Sequence, residues 1–356
     1  MVFVSLLGLL IVVSAVCDAA ATVLHPDAEG LVAGRVRKVV WRSVAVAGAR
    51  LPRVERRVLG LAGPLIVAST FLAWITLLIL GLALAVWPML EEGFEIQTDM
   101  GPAGFADALY FAGGTITVLG YGDLTPLTVS GQAVSLVGAA VGFTLFTGMA
   151  TYAIEVIGGV STRNRFALSV HDDTRDRGGV TMFAEHLSDG GASDTRTRCR
   201  DWAAVLREVD ELVHRYPLVA FTYRSRRDEY DPEPALRHMA EVTVAVLVAS
   251  GREPSLRTSA QALDLALTRL QRTIADTYLT DEVVRRLRDP RPDDHDRRAV
   301  EEVERVLAAG LDDAGGAPVE GGREEVAETV HRCRVFLDGL HAWARSEAPP
   351  YEWDAR

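Results

Sequence analysis

The most unusual stretch of this 356-residue chain is Val118-Leu119-Gly120-Tyr121-Gly122-Asp123. It follows Gly104-Phe-Ala-Asp-Ala-Leu-Tyr-Phe-Ala-Gly-Gly-Thr-Ile-Thr117, an apolar run too short to cross a bilayer, which reads as a re-entrant helix. Leu124-Thr125-Pro126 and a long apolar segment come next. Backbone that is not helical is tolerated at membrane depth only where it is buried in protein or lines a water-filled path. Gly120 and Gly122 at such a place point to the lining of a pore.

The elements that must position this loop are legible from hydropathy and charge. The hydrophobic set makes up 49% of the chain and charged residues 24%, an average over two unlike halves. A helix needs about 20 apolar residues to span the hydrocarbon core. Three stretches qualify: Val2 to Val23 with Asp18 as its only charge, Leu61 to Trp87 with none, and about Val129 to Ile157 with only Glu155. Residues 161 to 356 are rich in Arg, Asp and Glu and contain no uncharged run of that length. Lys and Arg near the spans set the orientation. The interval from Leu24 to Gly60 carries Arg35, Arg37, Lys38, Arg42, Arg50, Arg53, Arg56 and Arg57 and is expected in the cytoplasm. From Pro88 to Thr128 there is no Lys or Arg, so the pore segment is expected outside, and the tail from Arg163 returns inside. The first span lacks the basic start of a cleaved signal peptide and reads as a retained helix with its N-terminus outside. Cys17, Cys199 and Cys333 have no metal-ligand spacing and imply no disulfide framework.

Thr115-x-Thr117-x-x-Gly120-Tyr121-Gly122-Asp123, set between a pore-helix segment and an apolar inner helix, resembles the filter signature of the bacterial potassium channel family. The resemblance covers the pore module and continues into the third span. It implies four identical loops whose carbonyls replace the water of a dehydrated K+, with the ion held by those of Val118, Leu119, Gly120 and Tyr121. Thr117 through Asp123 form the filter, Tyr121 points away from the axis as a brace, and Asp123 raises the cation concentration at the outer mouth. Gly142 falls at the family's inner-helix gating hinge; the alternative is that it, like Gly131, Gly138 and Gly148, lets helices approach closely. Two positions depart from the pattern. Val118 stands where a threonine hydroxyl usually completes the innermost ion site. Gly114 stands where some relatives place a Glu behind the filter, so a brace must come from elsewhere, with Tyr110 and Asp123 the candidates.

One filter loop cannot enclose an axis, and the resemblance implies a homotetramer. The expected fold class is an all-α membrane protein: three transmembrane helices, a pore helix with its filter loop, and a mainly α-helical cytosolic domain. The expected segments are an N-terminal transmembrane helix (1–24), a basic cytoplasmic loop (25–60), the pore module (61–160, with outer helix 61–88, pore helix and filter 104–123 and inner helix 128–160), a linker (161–195) and the cytosolic domain (196–356). Arg50, Arg53 and Arg56 recur every third residue, but a voltage sensor needs partner spans bearing carboxylates. The loop reads instead as an interfacial helix touching anionic lipid headgroups, with Trp41 near the interface.

In the soluble half, Trp202, Leu206, Val209 and Val213 make one apolar helix face, Leu256, Leu263, Leu267 and Leu270 a second, and Val326, Val330, Leu337 and Leu340 a third. Asp231-Pro-Glu-Pro234 reads as a helix entry. Asp172 to Gly191 and Asp312 to Gly322 read as flexible linkers, with His171, Asp172 and Asp173 in a solvated loop. No Gly-x-Gly-x-x-Gly turn, phosphate-binding loop or nucleophile and base constellation is visible, so neither an enzyme nor a cofactor beyond pore K+ is expected. The net charge of -11 argues against nucleic acid. The functional expectation is passive K+ conduction across the cell membrane by a multi-pass protein. Weak cation selectivity, or a membrane sensor whose output is the cytosolic domain, is the alternative.

Overall fold

The computed structural model describes residues 2–25, 29–51, 54–96, 104–174, 177–225, 227–310 and 320–344. Arg53 of the basic loop and most of the linker expected at Asp312 to Gly322 lie outside the described residues. Three helical stretches are long and apolar enough to cross a membrane, Val2–Leu24, Arg57–Gly93 and Val129–Thr174, and the protein is an all-α membrane protein with a helical C-terminal region. It divides into two compact units, Met1–Ile157 and Gly158–Arg356.

In the first unit, α1 (Val2–Leu24) packs along α4 (Ala62–Val86), with α2 (Leu31–Arg50) and the short α3 (Glu55–Leu59) between them in sequence. The contact between α1 and α4 is close because it is made by glycines: a Cβ on Gly8 would lie 2.4 Å from the Gly81 carbonyl oxygen. Small residues allow this approach where lipid offers no hydrophobic driving force for association. The single carboxylate of α1 is satisfied within the unit. Asp18 is buried and accepts hydrogen bonds from Trp74 Nε1 at 2.8 Å, from the Val32 amide at 2.8 Å and from the Ala33 amide at 3.3 Å. It thus caps the first turn of α2, whose amides have no intrahelical acceptor, and binds α1, α2 and α4 into one piece. On α2, Arg37 forms a two-bonded pair with Glu29.

After α4, α5 (Leu90–Gly93) leads into β1 (Phe94–Ile96), which pairs antiparallel with β2 (Leu124–Pro126), Phe94 opposite Pro126. Between the strands in sequence lie α6 (Phe105–Ile116), at the place of the expected pore helix, and the loop that follows it. The two-stranded ribbon is an addition to the expected all-helical plan. It closes the outer loop by hydrogen bonds, and Phe94 packs edge-on against Phe111 of α6 with ring centroids 4.9 Å apart. Then α7 (Val129–Thr174) begins.

The second unit is a helical bundle that starts with the last part of α7, where Phe166, Ala167 and Val170 are buried in its core. It continues with α8 (Gly179–Arg215), α9 (Pro232–Arg252), α10 (Arg257–Tyr278), α11 (Asp281–Arg288), α12 (Asp294–Gly310) and α13 (Glu320–Ala344). The three apolar faces read from sequence sit on α8, α10 and α13, and Asp231 caps α9 by accepting from the Glu233 amide. The stretch from Asp172 to Gly191 differs from the expected linker: its described residues are largely helical, with a break at Gly191 (φ 68°). Val180, Phe183, Ala184 and Leu187 recur at helical spacing and are buried, and the Gly179 amide donates to the buried Glu241 carboxylate at 2.6 Å, anchoring the start of α8. Asp173 is not in a loop but on α7, paired with Arg198.

A polar cluster fastens α12 to α13. Asp296, fully buried, accepts from Arg334 Nε at 2.8 Å and meets His331 Nδ1 at 2.8 Å, while Arg334 also reaches Asp293 at 2.8 Å. The three ligating groups Asp293, Asp296 and His331 lie close enough together to hold a cation, but the Arg334 guanidinium already occupies both carboxylates. Burial by itself pushes the Asp296 carboxyl up, and the hydrogen bonds from Arg334, the Asp293 backbone and His331 more than offset this and hold it below the usual carboxylate range. A carboxyl with a lowered folded pKa adds stability above its unfolded value of about 3.9 and loses that contribution as the pH falls through the folded value. Thermal unfolding of the full chain, followed by circular dichroism, is therefore expected to show Asp296→Asn less stable than wild type at pH 7, with the gap narrowing below about pH 4. A gap that does not change with pH would contradict the assignment.

Candidate pore loop and filter

The geometry of the loop is set from the C-terminus of α6. The Thr117 hydroxyl donates to the Gly113 carbonyl at 2.6 Å, the Val118 amide to Thr115 O at 3.1 Å, and the Leu119 and Gly120 amides to Gly114 O at 2.8 and 3.3 Å. The first residues of the loop thus spend their amide donors on the end of α6. At the other end Asp107 fixes the start of α6 by accepting from the Gly104 amide at 2.7 Å.

Within the loop the backbone alternates. Val118 has φ 60°, Gly120 φ 55° and Gly122 φ 87°, and the intervening Leu119 and Tyr121 do not share the left-handed conformation. Successive residues of the loop thus alternate in the sign of φ, unlike those of an ordinary strand. Glycine takes positive φ without steric cost, which explains positions 120 and 122. Val118 does not: a β-branched residue in this region is an outlier costing on the order of 1–3 kcal/mol, and such strain persists only where the surroundings impose it.

Behind the loop, Tyr110 of α6 donates its hydroxyl to Asp123 Oδ2 at 2.6 Å, and its ring stacks on Tyr121 at 5.7 Å with an 11° interplanar angle. This is the brace that Gly114 cannot supply. Gly114 leaves a cavity of about 50 Å³ between pore helix and loop, bordered by Tyr110, Thr115, Tyr121 and Asp123. Such a volume with polar groups on its walls accommodates a water molecule.

Gly142 lies against the foot of the same helix. A Cβ there would fall 2.0 Å from the Ile116 carbonyl oxygen, and one on Gly138 2.9 Å from Leu82 Cδ2. The inner helix thus touches the backbone end of α6 through Gly142, a contact no other residue type permits. Thr117 to Asp123 are contiguous in the loop, whereas Gly142 joins them only through this packing. The signals that sequence reading missed are the strand pair and the double acceptance by Gly114 O, since neither depends on a distinctive side chain.

Residues 70–158 match the model of a family described as "Ion channel". An uncharacterized membrane protein of Bacillus subtilis (strain 168), YdjJ, is 34% identical to this chain over 122 residues, which are 33% of the chain and 36% of the relative. The match thus spans about a third of that relative's length. No solved structure matches.

Tyr110→Phe removes the bond to Asp123 but keeps the ring stack, and Gly142→Ala forces the inner helix off the Ile116 carbonyl. In detergent, Gly142→Ala is expected to lower the unfolding temperature markedly through overpacking of about 1–3 kcal/mol. Tyr110→Phe is expected to leave the unfolding temperature near that of wild type, because the bond it removes is exposed to solvent, and to shorten the lifetime of any cation current. Wild-type stability in Gly142→Ala would contradict the packing described.

Proposed function

We propose that four copies of the chain surround an axis and conduct K+ passively down its electrochemical gradient, through a filter formed by Thr117 to Asp123. The observation that supports this most strongly is the positive φ at Val118, Gly120 and Gly122, alternating with Leu119 and Tyr121, the backbone pattern expected of a loop that offers the carbonyls of Val118, Leu119, Gly120 and Tyr121 to an ion. A single chain offers an ion only one wall. Four such walls replace a hydration shell.

Two further features favour assembly. Val118, Leu119 and Tyr121 are 53%, 59% and 63% exposed in the single chain, as are large apolar side chains along α7 such as Phe143 and Ile154. Apolar filter residues left in water are a cost that neighbouring copies remove. The match of residues 70–158 to an ion channel family points the same way. In this reading Asp123, held by Tyr110, sets a carboxylate at the outer mouth, and Val118 leaves the innermost site without a hydroxyl. The hinge that the resemblance assigns to Gly142 belongs to the same proposal: opening there lifts the helix off the Ile116 carbonyl. The basic face of α2, with Arg35, Lys38 and Arg42, is assigned to anionic headgroups on the cytoplasmic side. The N-terminus is outside and the second unit cytoplasmic, according to the distribution of Lys and Arg.

The test is cation flux into liposomes holding the purified protein. Wild type is expected to pass K+ well above Na+, and Gly120→Ala, which places a side chain at φ 55°, to abolish the flux. Equal K+ and Na+ flux that is still lost in the variant favours a weakly selective cation channel. Flux indifferent to Gly120→Ala sinks the pore assignment.

A further inference from the structure

The residue that stands out in the second unit is Arg163, six positions beyond the end of the first unit on the same helix α7. It is 2% exposed and among the largest fully buried side chains of the protein. A guanidinium carries five N–H donors and no acceptor, and its removal from water costs several kcal/mol unless it is well partnered. Among the described residues no carboxylate forms an ion pair with it. Instead Nη1 donates to the carbonyls of Val219 at 2.9 Å and Ala220 at 3.1 Å, Nη2 donates to Asn164 Oδ1 at 2.6 Å, and Nε has no partner. The cation sits on the carbonyl end of the tight turn Pro217–Val219, where the aligned peptide dipoles are negative.

That turn is gripped from its other side. The Tyr278 hydroxyl, from the end of α10, donates to Pro217 O. Phe221, just past the turn, packs edge-on against Tyr278 at 5.7 Å and against Trp343 of α13 at 5.8 Å. A continuous chain of polar and aromatic contacts therefore runs from α7 through the turn to α10 and α13.

Just before Arg163, α7 contains Gly158 and Gly159. Each glycine costs a helix about 1 kcal/mol relative to alanine, so the pair is a weak point in a helix of 46 residues. The two differ in their surroundings. A Cβ on Gly159 would lie 2.4 Å from Leu212 Cδ1, whereas one on Gly158 would meet nothing within 4 Å. Gly159 is required by packing, but no contact explains Gly158.

We propose that Arg163 is a positioning residue for the gate: it clamps the helix that lines the pore to the turn at residues 217–220. A displacement of α10 or α13 thereby passes into α7, and Gly158–Gly159 is the compliant joint between clamp and pore. This rests on the channel reading above. It gives the cytosolic bundle a mechanical route to conduction that requires no contact with the filter.

The test is single-channel recording from the full-length protein in planar bilayers. Arg163→Met, which keeps the length and removes the donors, is expected to change the open-to-closed ratio by about threefold or more while leaving unit conductance and ion preference as in wild type. Arg163→Lys, which still donates to the carbonyls, restores part of the ratio. Tyr278→Phe, which loosens the same turn, shifts it in the same direction and not additively with Arg163→Met. Gly158→Ala, free of any clash, stiffens the joint and changes the ratio on its own. A merely structural arginine would lower thermal stability and leave the ratio unmoved. An unchanged ratio in tetrameric Arg163→Met and in Tyr278→Phe overturns the clamp, and Tyr278→Phe carries the test alone if Arg163→Met does not assemble. Absence of single-channel current from wild type removes the channel reading and the proposal with it, whereas current with an unchanged ratio removes only the clamp.

Discussion

Irregular backbone at membrane depth has to find its hydrogen bonds inside the protein, because lipid supplies none, and the first unit is organised around that requirement. The loop from Val118 to Asp123 leaves the helical state, yet its leading amides end on Thr115 O and Gly114 O, the carbonyls freed at the C-terminus of α6. Each side of the bargain is an orphan group satisfied by the other. Those donors are directed into α6, and in the proposed reading the carbonyls of the same residues are the groups offered to a desolvated cation. The rest of the unit keeps α6 where this exchange can occur: Asp107 at its start, the β1 and β2 ribbon around it, Tyr110 and Asp123 behind the loop, and Gly142 of the inner helix at its foot.

The same economy explains the buried charged residues of both units. Asp18 would be costly in a span if left alone, but three donors from two other helices surround it, and the carboxylate becomes the joint of α1, α2 and α4. Arg163 repeats the theme with the sign reversed, as a buried cation held by carbonyls. In the second unit Asp296, Arg334 and His331 form a closed set that ties α12 to α13. Breaking one member of such a set is costly because its partners stay buried.

How much of this was legible in the sequence follows from which signals are carried by side chains. The three spans, the pore helix and the loop between Val118 and Asp123 were readable because hydropathy and glycine placement are strong and local. The apolar faces of α8, α10 and α13 were readable for the same reason. The start of α8 was not: Gly178, Gly190, Gly191 and the flanking Asp and Ser residues read as a linker, although Val180, Phe183 and Leu187 already carried a helical period. Composition masked periodicity, and what orders the segment is tertiary, namely burial and the Glu241 carboxylate at its first amide. The ribbon of Phe94–Ile96 with Leu124–Pro126 was invisible because two three-residue strands pair across a long loop without any pattern of their own. At the loop itself, sequence flagged Gly114 and Val118 as departures but could not say how they are accommodated. The structure answers with the Tyr110 to Asp123 bond and with a valine at φ 60°.

The account stands or falls on whether the carbonyls of Val118, Leu119, Gly120 and Tyr121 discriminate between cations without the hydroxyl that Val118 lacks. The direct measurement is the reversal potential of wild type and of Val118→Thr in planar bilayers with K+ on one side and Na+ on the other. The account predicts a wild-type potential displaced strongly toward that of a K+-selective membrane, displaced at least as far in Val118→Thr. A potential near zero in both would contradict it, since the loop would then form a path for cations without selecting among them.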